Sequence, residues 1–467
     1  MSTLIMKFGG TSVGMTMGLT QLLSIVLYER ERWERLMLVV SALDGVTDQL
    51  IEAAHLALLN NRRGYRRIVA TLRTRHLALI EHLPLGITER NALQADIDRL
   101  LFDMLDACQN MPEELSEAAK PEAIDRIIST GERLAARIVA ALLRQNNLRG
   151  VAIDATDVII TDDVFGNATP NLPLTRDRIA SNLLPLLNRG IIPVITGFIG
   201  ATESGKPTTL GRGGSDYTAS IVGVCSDAQE VWVWTDVDGM MTADPREVTH
   251  ARVIPLLSYS EVAEMAYFGA RILHSRMIIP LRDGRIPLRV RNVFKPQQPG
   301  TLVHTNTTPT GFKAVTTIQG LGLSAQHSGS LAEIAALVDD RLSTISGSRT
   351  DVMFSSQSAA QSFVCFVIPT NAGPDALHDL QNALAAPLSQ LDEARRWTMR
   401  PVGVVTLVGS RLGEDHGLTA QLLVALAGIR VLALAQGPAH ASFSVVVEPD
   451  DAEAALSSIH ALILASS

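Results

Sequence analysis

Four short stretches of the chain carry residue types suited to chemistry on anions. Lys7-Phe8-Gly9-Gly10-Thr11-Ser12-Val13-Gly14 sets a lysine at the end of an apolar run, followed by two glycines and two hydroxyls. Glycines let the backbone approach phosphate oxygens, amides and hydroxyls donate to them, and a lysine neutralises charge on a transferring group. The same letters also fit an ordinary strand-to-helix turn with a surface lysine. Gly211-Arg212-Gly213-Gly214-Ser215-Asp216 leads into the helical pattern Tyr217 to Val222. A helix start favours an anion, and Arg212 can grip a carboxylate through two parallel hydrogen bonds. Asp216 has two open readings, a cap for that helix or a carboxylate that orients a lysine. Ser129-Thr130-Gly131-Glu132 fits a capping box, the stronger structural reading, while Glu132 can instead hold a substrate ammonium. Thr235-Asp236-Val237-Asp238-Gly239 through Arg246 follows an apolar run with turn and polar residues, a rim suited to a nucleotide. Gly200 to Pro207 nearly spells a phosphate-binding P-loop, but Pro207 offers neither the hydroxyl nor the amide hydrogen that motif needs. An exposed turn is expected there.

Such residues must be held by regular elements. Short branched apolar runs, Leu4 to Phe8, Leu36 to Val40, Ile191 to Ile195 and Val231 to Trp234, each end on small or polar residues and read as buried parallel strands. Helical patterns alternate with them, which predicts an α/β unit with helices on both faces over 1–295. Ligands of such sheets bind at the carboxyl ends of the strands, where these Gly, Ser, Thr and Asp residues fall. Over about 51–125 a helical insertion is expected, with Leu93, Ile97, Leu100, Leu101, Met104 and Leu105 on one face. Its arginines (Arg62, Arg63, Arg66, Arg67, Arg73, Arg75) read as a solvated face. A turn-rich linker is expected at 296–312. Beyond it Val315 to Gly320 is echoed by Val404 to Gly409, and Ser362-Phe363 by Ser442-Phe443, which predicts two α+β units at 313–392 and 393–467.

The chain has 467 residues, with 40 Lys+Arg against 48 Asp+Glu and a formal charge of −8. Its length argues for several domains, and the absence of a long single-sign block argues against nucleic acid or an anionic membrane as partner. No apolar run reaches the roughly 18 residues of a membrane span, and the opening residues lack a signal-peptide pattern, so a cytoplasmic protein is expected. Cys108, Cys225 and Cys365 are too widely spaced for a zinc or redox motif and read as buried thiols.

The ordered motifs resemble those of aspartokinase, within the amino acid kinase superfamily. The resemblance rests on Lys-Phe-Gly-Gly-Thr-Ser-Val at the start, Ser41-Ala42, Ser-x-Gly-Glu at 129–132, Gly-Arg-Gly-Gly-Ser-Asp at 211–216 and Thr-Asp-Val-Asp-Gly at 235–239. Ala243-Asp244-Pro245-Arg246, Gly269-Ala270-Arg271-Ile272-Leu273-His274 and Pro299-Gly300-Thr301 continue it, and the C-terminal repeat resembles tandem ferredoxin-like ACT domains.

The resemblance implies transfer of the ATP γ-phosphoryl to the β-carboxylate of L-aspartate, entering lysine, threonine and methionine synthesis. It implies Lys7 and Asp216 as the catalytic pair, and Ser41, Glu132, Arg212 and Ser215 around aspartate. Lys7, Gly9, Gly10, Thr11, Ser12, Thr235, Asp236, Met241, Asp244, Arg246 and Arg271 are implied around ATP, with Mg2+ bridging phosphates rather than held in a dedicated protein site. An amino-acid effector, threonine or lysine, is implied at the ACT domains, and Ser355-Ser356-Gln357-Ser358 resembles the effector segment of threonine-responsive relatives. A homodimer or homotetramer is the family's default. The chain departs from the family pattern at Met241, where several relatives have Tyr, at Arg271, where many have Lys, and at Ser275, where Pro usually follows the His. Two rivals remain: another amino acid kinase acting on a different carboxylate, and a non-catalytic amino-acid sensor. With about twenty residues after Pro449, no fused dehydrogenase domain is expected.

Overall fold

The branched apolar runs do become strands, because side chains buried on both faces of a parallel sheet leave no polar alternation. The structure, a computed structural model, describes residues 2–111, 116–117, 119–270, 273, 275–305, 310–326, 330–346, 352–369, 372–373, 375–390, 396–437 and 439–466. Two compact units form, Met1–Met240 with Leu273–Thr305, and Met241–Ile272 with Asn306–Ser467.

In the first unit the strands run in the order Gly150–Ile153, Ile192–Thr196, Arg35–Val40, Thr3–Phe8, Glu230–Thr235, Leu288–Asn292 and Thr301–His304. All neighbours pair in parallel except the last, which is antiparallel to Leu288–Asn292. Thr3–Phe8 lies at the centre, with Lys7 level with Val39 on one side and Val233 on the other. Leu4, Met6, Phe8, Leu38, Val40 and Trp234 bury one face against the helices. Each such side chain contributes roughly 1.5–3 kcal/mol on burial.

The helical insertion is present: Val46–Leu58, Arg62–Glu81, Ile87–Gln109 and Lys120–Ile128 are helices. Leu93, Ile97, Leu100, Leu101 and Met104 are buried as the spacing requires. Arg62, Arg63, Arg66, Arg67 and Arg73 are exposed, and Arg73 pairs with Asp98 at 2.7 Å. The false P-loop is a hairpin, Ile199–Thr202 antiparallel to Pro207–Thr209. All three cysteines are buried free thiols, and no helix among the described residues is long and apolar enough to cross a membrane.

The second unit is built on an antiparallel sheet in the order Val352–Gln357, Ser362–Val367, Gly311–Ala325, Trp397–Ser410, Ser442–Val447 and Val431–Gln436. The two long strands carrying the repeat pair with each other, Thr316 opposite Thr406. Here the packing departs from the expected division at 392/393. Phe312 and Val315, from the first half of one long strand, share a core with Val405, Leu422, Phe443 and Ile459. Leu321 and Leu323, from its second half, share another with Ile334, Val364, Leu380 and Trp397. A strand of fifteen residues spans two helix layers, so each core borrows strand segments from both repeats.

Two other expected boundaries also shift. Residues 241–272, assigned from sequence to the catalytic domain, fall in the second unit. Thr242 accepts the Val315 amide at 2.8 Å, Ala243 is buried in that unit's core and Phe268 packs with Ile318 and Val404. Thr301–His304, assigned to the linker, pairs with Leu288–Asn292 in the first unit's sheet. Ser355, Ser356 and Gln357 lie on the exposed edge strand Val352–Gln357, with Ser358 just beyond it. Gly329, which precedes the first repeat's helical pattern in the sequence, lies outside the described residues.

Candidate active site

At the carboxyl ends of the central strands the chain draws distant residues together through close backbone approaches. Lys7 projects from the penultimate position of its strand, and its Nζ lies 2.6 Å from Asp216 Oδ1, both side chains largely buried. Asp216 is therefore a partner of the lysine rather than the helix cap. The cap of Gly214–Cys225 is Gly213, at φ +68°, and Asp216 occupies the helix's first turn. The Gly9 amide donates to the Trp234 carbonyl at 3.4 Å, which sets the Gly9-Gly10 turn beside Thr235. A side chain at Gly10 would meet the Ala42 carbonyl at 2.8 Å, so only glycine lets this turn close on the end of the neighbouring strand.

Ser41 follows that neighbouring strand and its amide donates to the Phe8 carbonyl at 3.2 Å. The next amide, of Ala42, donates to Glu132 Oε1 at 3.2 Å. The expected capping box at Ser129 does not form, because Lys120–Ile128 runs directly into Thr130–Gln145. Ser129 keeps helical angles, and its hydroxyl donates to the Arg126 carbonyl. Glu132 is thereby free of capping duty. It is buried, its Oε2 has no partner among the described residues, and burial pushes its carboxyl up to about 8. A Cβ at Gly131 would come within 2.9 Å of Ala42 Cβ and 3.0 Å of Leu50 Cδ1, so glycine permits the helix to seat Glu132 there.

Ser215 sits against Gly197, where a Cβ would lie 2.7 Å from its own. Arg212 is exposed and no hydrogen bond or ion pair engages it among the described residues. Thr235 donates to Asp236 Oδ1 at 3.2 Å, and Asp236 is exposed. Ser12 differs from expectation: in the short helix Gly10–Val13 it is completely buried, and its hydroxyl has no partner among the described residues. Thr11 stays partly exposed.

Of the expected nucleotide group, Met241, Asp244 and Arg246 belong to the second unit, where Arg246 forms an ion pair with Asp244. Arg271 lies outside the described residues. Sequence reasoning missed Asp125 and Arg276. Buried Asp125 accepts from the Gly166 and Thr209 amides, each at 2.8 Å, and from the Thr209 hydroxyl at 2.7 Å. No local spacing announces it. Arg276 follows the Gly269 to His274 motif, and its neighbours come from elsewhere in the chain. Asp238, inside the Thr235 motif, pairs with Lys295 at 2.7 Å, which holds its carboxyl below the usual range.

A strand-end lysine with a built-in counter-ion, a glycine turn and a buried carboxylate with an open oxygen can bind a nucleotide phosphate beside a small ammonium-bearing acid. The model of the amino acid kinase family matches residues 2–292. The chain belongs to the amino acid kinase family. Within it the likeness is to aspartokinases. Lysine-sensitive aspartokinase 3 of Escherichia coli (strain K12) is 30% identical over 464 residues, covering 98% of each chain. The bifunctional aspartokinase/homoserine dehydrogenase 2 of Arabidopsis thaliana is 30% identical over 97% of this chain and 50% of its own length. The chain thus spans about half the length of the bifunctional plant relatives it matches. The crystal structure of E. coli aspartokinase III with aspartate and ADP superimposes with a TM-score of 0.77 at 27% identity, covering 99% of this chain and 100% of that one. The same enzyme with lysine and aspartate gives 0.80. An ACT domain model matches residues 405–462.

Proposed function

We propose that this amino acid kinase is an aspartate kinase, converting ATP and L-aspartate to ADP and 4-phospho-L-aspartate. The observation that carries the reading is Glu132, a buried carboxylate with one oxygen on the Ala42 amide and the other without a partner among the described residues. An α-ammonium group of the substrate satisfies that oxygen and returns the carboxyl to its ionised form. Arg212, exposed and unengaged among the described residues, takes the α-carboxylate, and Ser41 and Ser215 flank the same substrate.

The β-carboxylate, with a reference pKa near 3.9, is already a nucleophile at neutral pH, so no general base is needed. One of its oxygens bonds to the γ-phosphorus while the bond from that phosphorus to the β,γ-bridging oxygen breaks, and ADP leaves with the electron pair. Alignment and charge neutralisation are what the protein must supply. Lys7 lies between the two anions and stabilises the charge on the transferring group, and Asp216 fixes its direction. Gly9, Gly10 and Thr11 face the phosphates, while Thr235 and Asp236 lie towards the nucleotide. The lysine, amides and hydroxyls at the strand ends suit phosphate oxygens; of the carboxylates there, Asp216 is paired with Lys7 and Asp236 is exposed. Mg2+ would come with the ATP phosphates and would neutralise part of their charge.

The second unit is read as the regulatory part, with a free amino acid as effector. The E. coli relative is lysine-sensitive by name, and a structure of it holds lysine. Lysine is accordingly the first effector to try, with threonine as the alternative that the Ser355 segment suggests. A homo-oligomer and a cytoplasmic location accompany this reading.

The test is ADP release with trapping of the acyl phosphate by hydroxylamine. Aspartyl hydroxamate is expected from L-aspartate and not from N-acetyl-L-aspartate, which lacks the ammonium. Equal product from both would remove Glu132 from recognition, and no product from either in folded protein would overturn the aspartate reading.

A further inference from the structure

The segment Gly211–Asp216 has an internal difficulty. Gly211 and Gly213 both adopt positive φ, +74° and +68°, and Gly214 follows. Glycine gives a chain the freedom to make such a turn and, for the same reason, little tendency to stay in it. Something outside the segment must hold Arg212 where a ligand can meet it.

We infer that Arg276, on the helix Ser275–Asp283, is the positioning residue for the Arg212 loop. Its guanidinium holds both ends of the segment. Nη1 donates to the carbonyl of Leu210, the residue before Gly211, at 2.6 Å. On the far side its Cζ lies 4.8 Å from the ring centroid of Tyr217, the residue after Asp216, in a cation–π contact. The same Nη1 donates to Asn167 Oδ1 at 2.6 Å and Nη2 to the Ala168 carbonyl at 3.2 Å, which ties the 162–169 loop into the arrangement. Gly211 closes against this clamp, where a Cβ would lie 2.7 Å from Asn167 Oδ1 and 3.4 Å from Arg276 Nη1. Buried Asp125 ties the 162–169 loop to the end of the strand Pro207–Thr209 through the Gly166 and Thr209 amides. The planar fork serves several acceptors while stacking on a ring, and a lysine ammonium cannot reproduce that arrangement. Arg276 touches neither phosphate nor aspartate in this account; it acts through Arg212.

The inference rests on the reading of Arg212 as the aspartate carboxylate group, so two readouts are needed. Amide hydrogen exchange of full-length protein reports the loop without any substrate. In Arg276→Lys, faster exchange confined to 162–169 and 209–217 is expected, and unchanged exchange at 209–217 overturns the inference whatever the kinetics. In steady-state kinetics the KM for aspartate should rise by about tenfold to a hundredfold, with the KM for ATP and kcat kept near wild type. Low millimolar guanidinium should restore the KM of Arg276→Ala, which a merely structural loss would not allow. Loosened exchange with an unchanged KM for aspartate would leave Arg276 a structural residue and overturn its positioning role. If the arginine variants do not fold, Asn167→Ala removes one bridge and should shift both readouts in the same direction, more weakly; no shift in either would again overturn the inference. The wild-type hydroxamate assay decides the aspartate reading separately, since the exchange result stands without it.

Discussion

At the lysine end of the site the counter-charge is built in, with Lys7 Nζ 2.6 Å from Asp216 and the pair fixed by a central strand and a helix turn. At the glutamate end it is missing: Glu132 Oε2 is buried without a partner among the described residues, and Arg212 stands exposed. On the proposed reading the first region carries its counter-charge within the chain and the second takes it from the substrate. A lysine that meets charge only as it develops does best in a preset direction, because reorganisation then costs nothing at the moment of transfer. A carboxylate that selects a substrate does best with a vacancy that only the right donor fills, since a buried group left unpaired penalises the wrong one.

The strongest way to break this contrast is at Lys7. Lys7→Met should lower kcat by roughly 10²–10³-fold in a chain that still folds, as expected for an interaction made in the transition state, with a lower melting temperature because Asp216 loses its partner. A near-normal rate of ADP release would remove Lys7 from the mechanism. At the other end, Glu132→Gln should act on KM for aspartate far more than on kcat. Truncating one side of a buried charge pair costs about 2–5 kcal/mol, so a rise of at least about thirtyfold is expected.

The pH dependence sharpens the comparison further. Burial pushes the Glu132 carboxyl up to about 8 in the folded chain, from an ordinary value of 4.5. Below 8 the group holds a proton that the substrate ammonium must displace, so KM for aspartate should fall by up to about tenfold per pH unit between pH 6 and 8. Glu132→Gln should flatten that slope. The stability consequence has a definite sign: the folded state binds the proton more tightly, so this group's contribution is fully present below pH 4.5 and is lost as pH rises to about 8. The glutamine variant should therefore gain melting temperature relative to wild type at pH 8 and not at pH 4.5.

Smaller effects follow from packing. Gly131→Ala forces a methyl against Ala42 and Leu50, an overpacking cost of about 1–3 kcal/mol. Because it shifts the helix that carries Glu132, KM for aspartate should rise with it, which chemical denaturation and steady-state kinetics together would show. Arg73→Ala, on the solvated face of the insertion, should leave both melting temperature and kinetics unchanged despite its ion pair with Asp98.

Residue types and spacing, taken alone, placed the candidate groups at the strand ends, while the roles expected of them came from the family resemblance. Lys7 after a branched run, the paired glycines, and Asp216 in a helix-start pattern all follow from local rules of backbone geometry and burial. The insertion was equally legible, because Leu93, Ile97, Leu100 and Leu101 keep helical spacing without tertiary help. Tertiary structure alone decided that Asp216 pairs with Lys7 rather than capping its helix, and that Glu132 is released from Ser129, whose helical angles come from the preceding helix. It also decided that Ser12 is buried, that 241–272 fold with the second unit, and that each ACT-like core takes strand segments from both repeats. The clamp at Arg276 lies beyond local reading too, since Asn167, Leu210 and Tyr217 meet it from far along the chain. The physical reason is common to all of these: spacing reports which face of an element is apolar, but where a polar side chain finds its partner depends on which elements pack together.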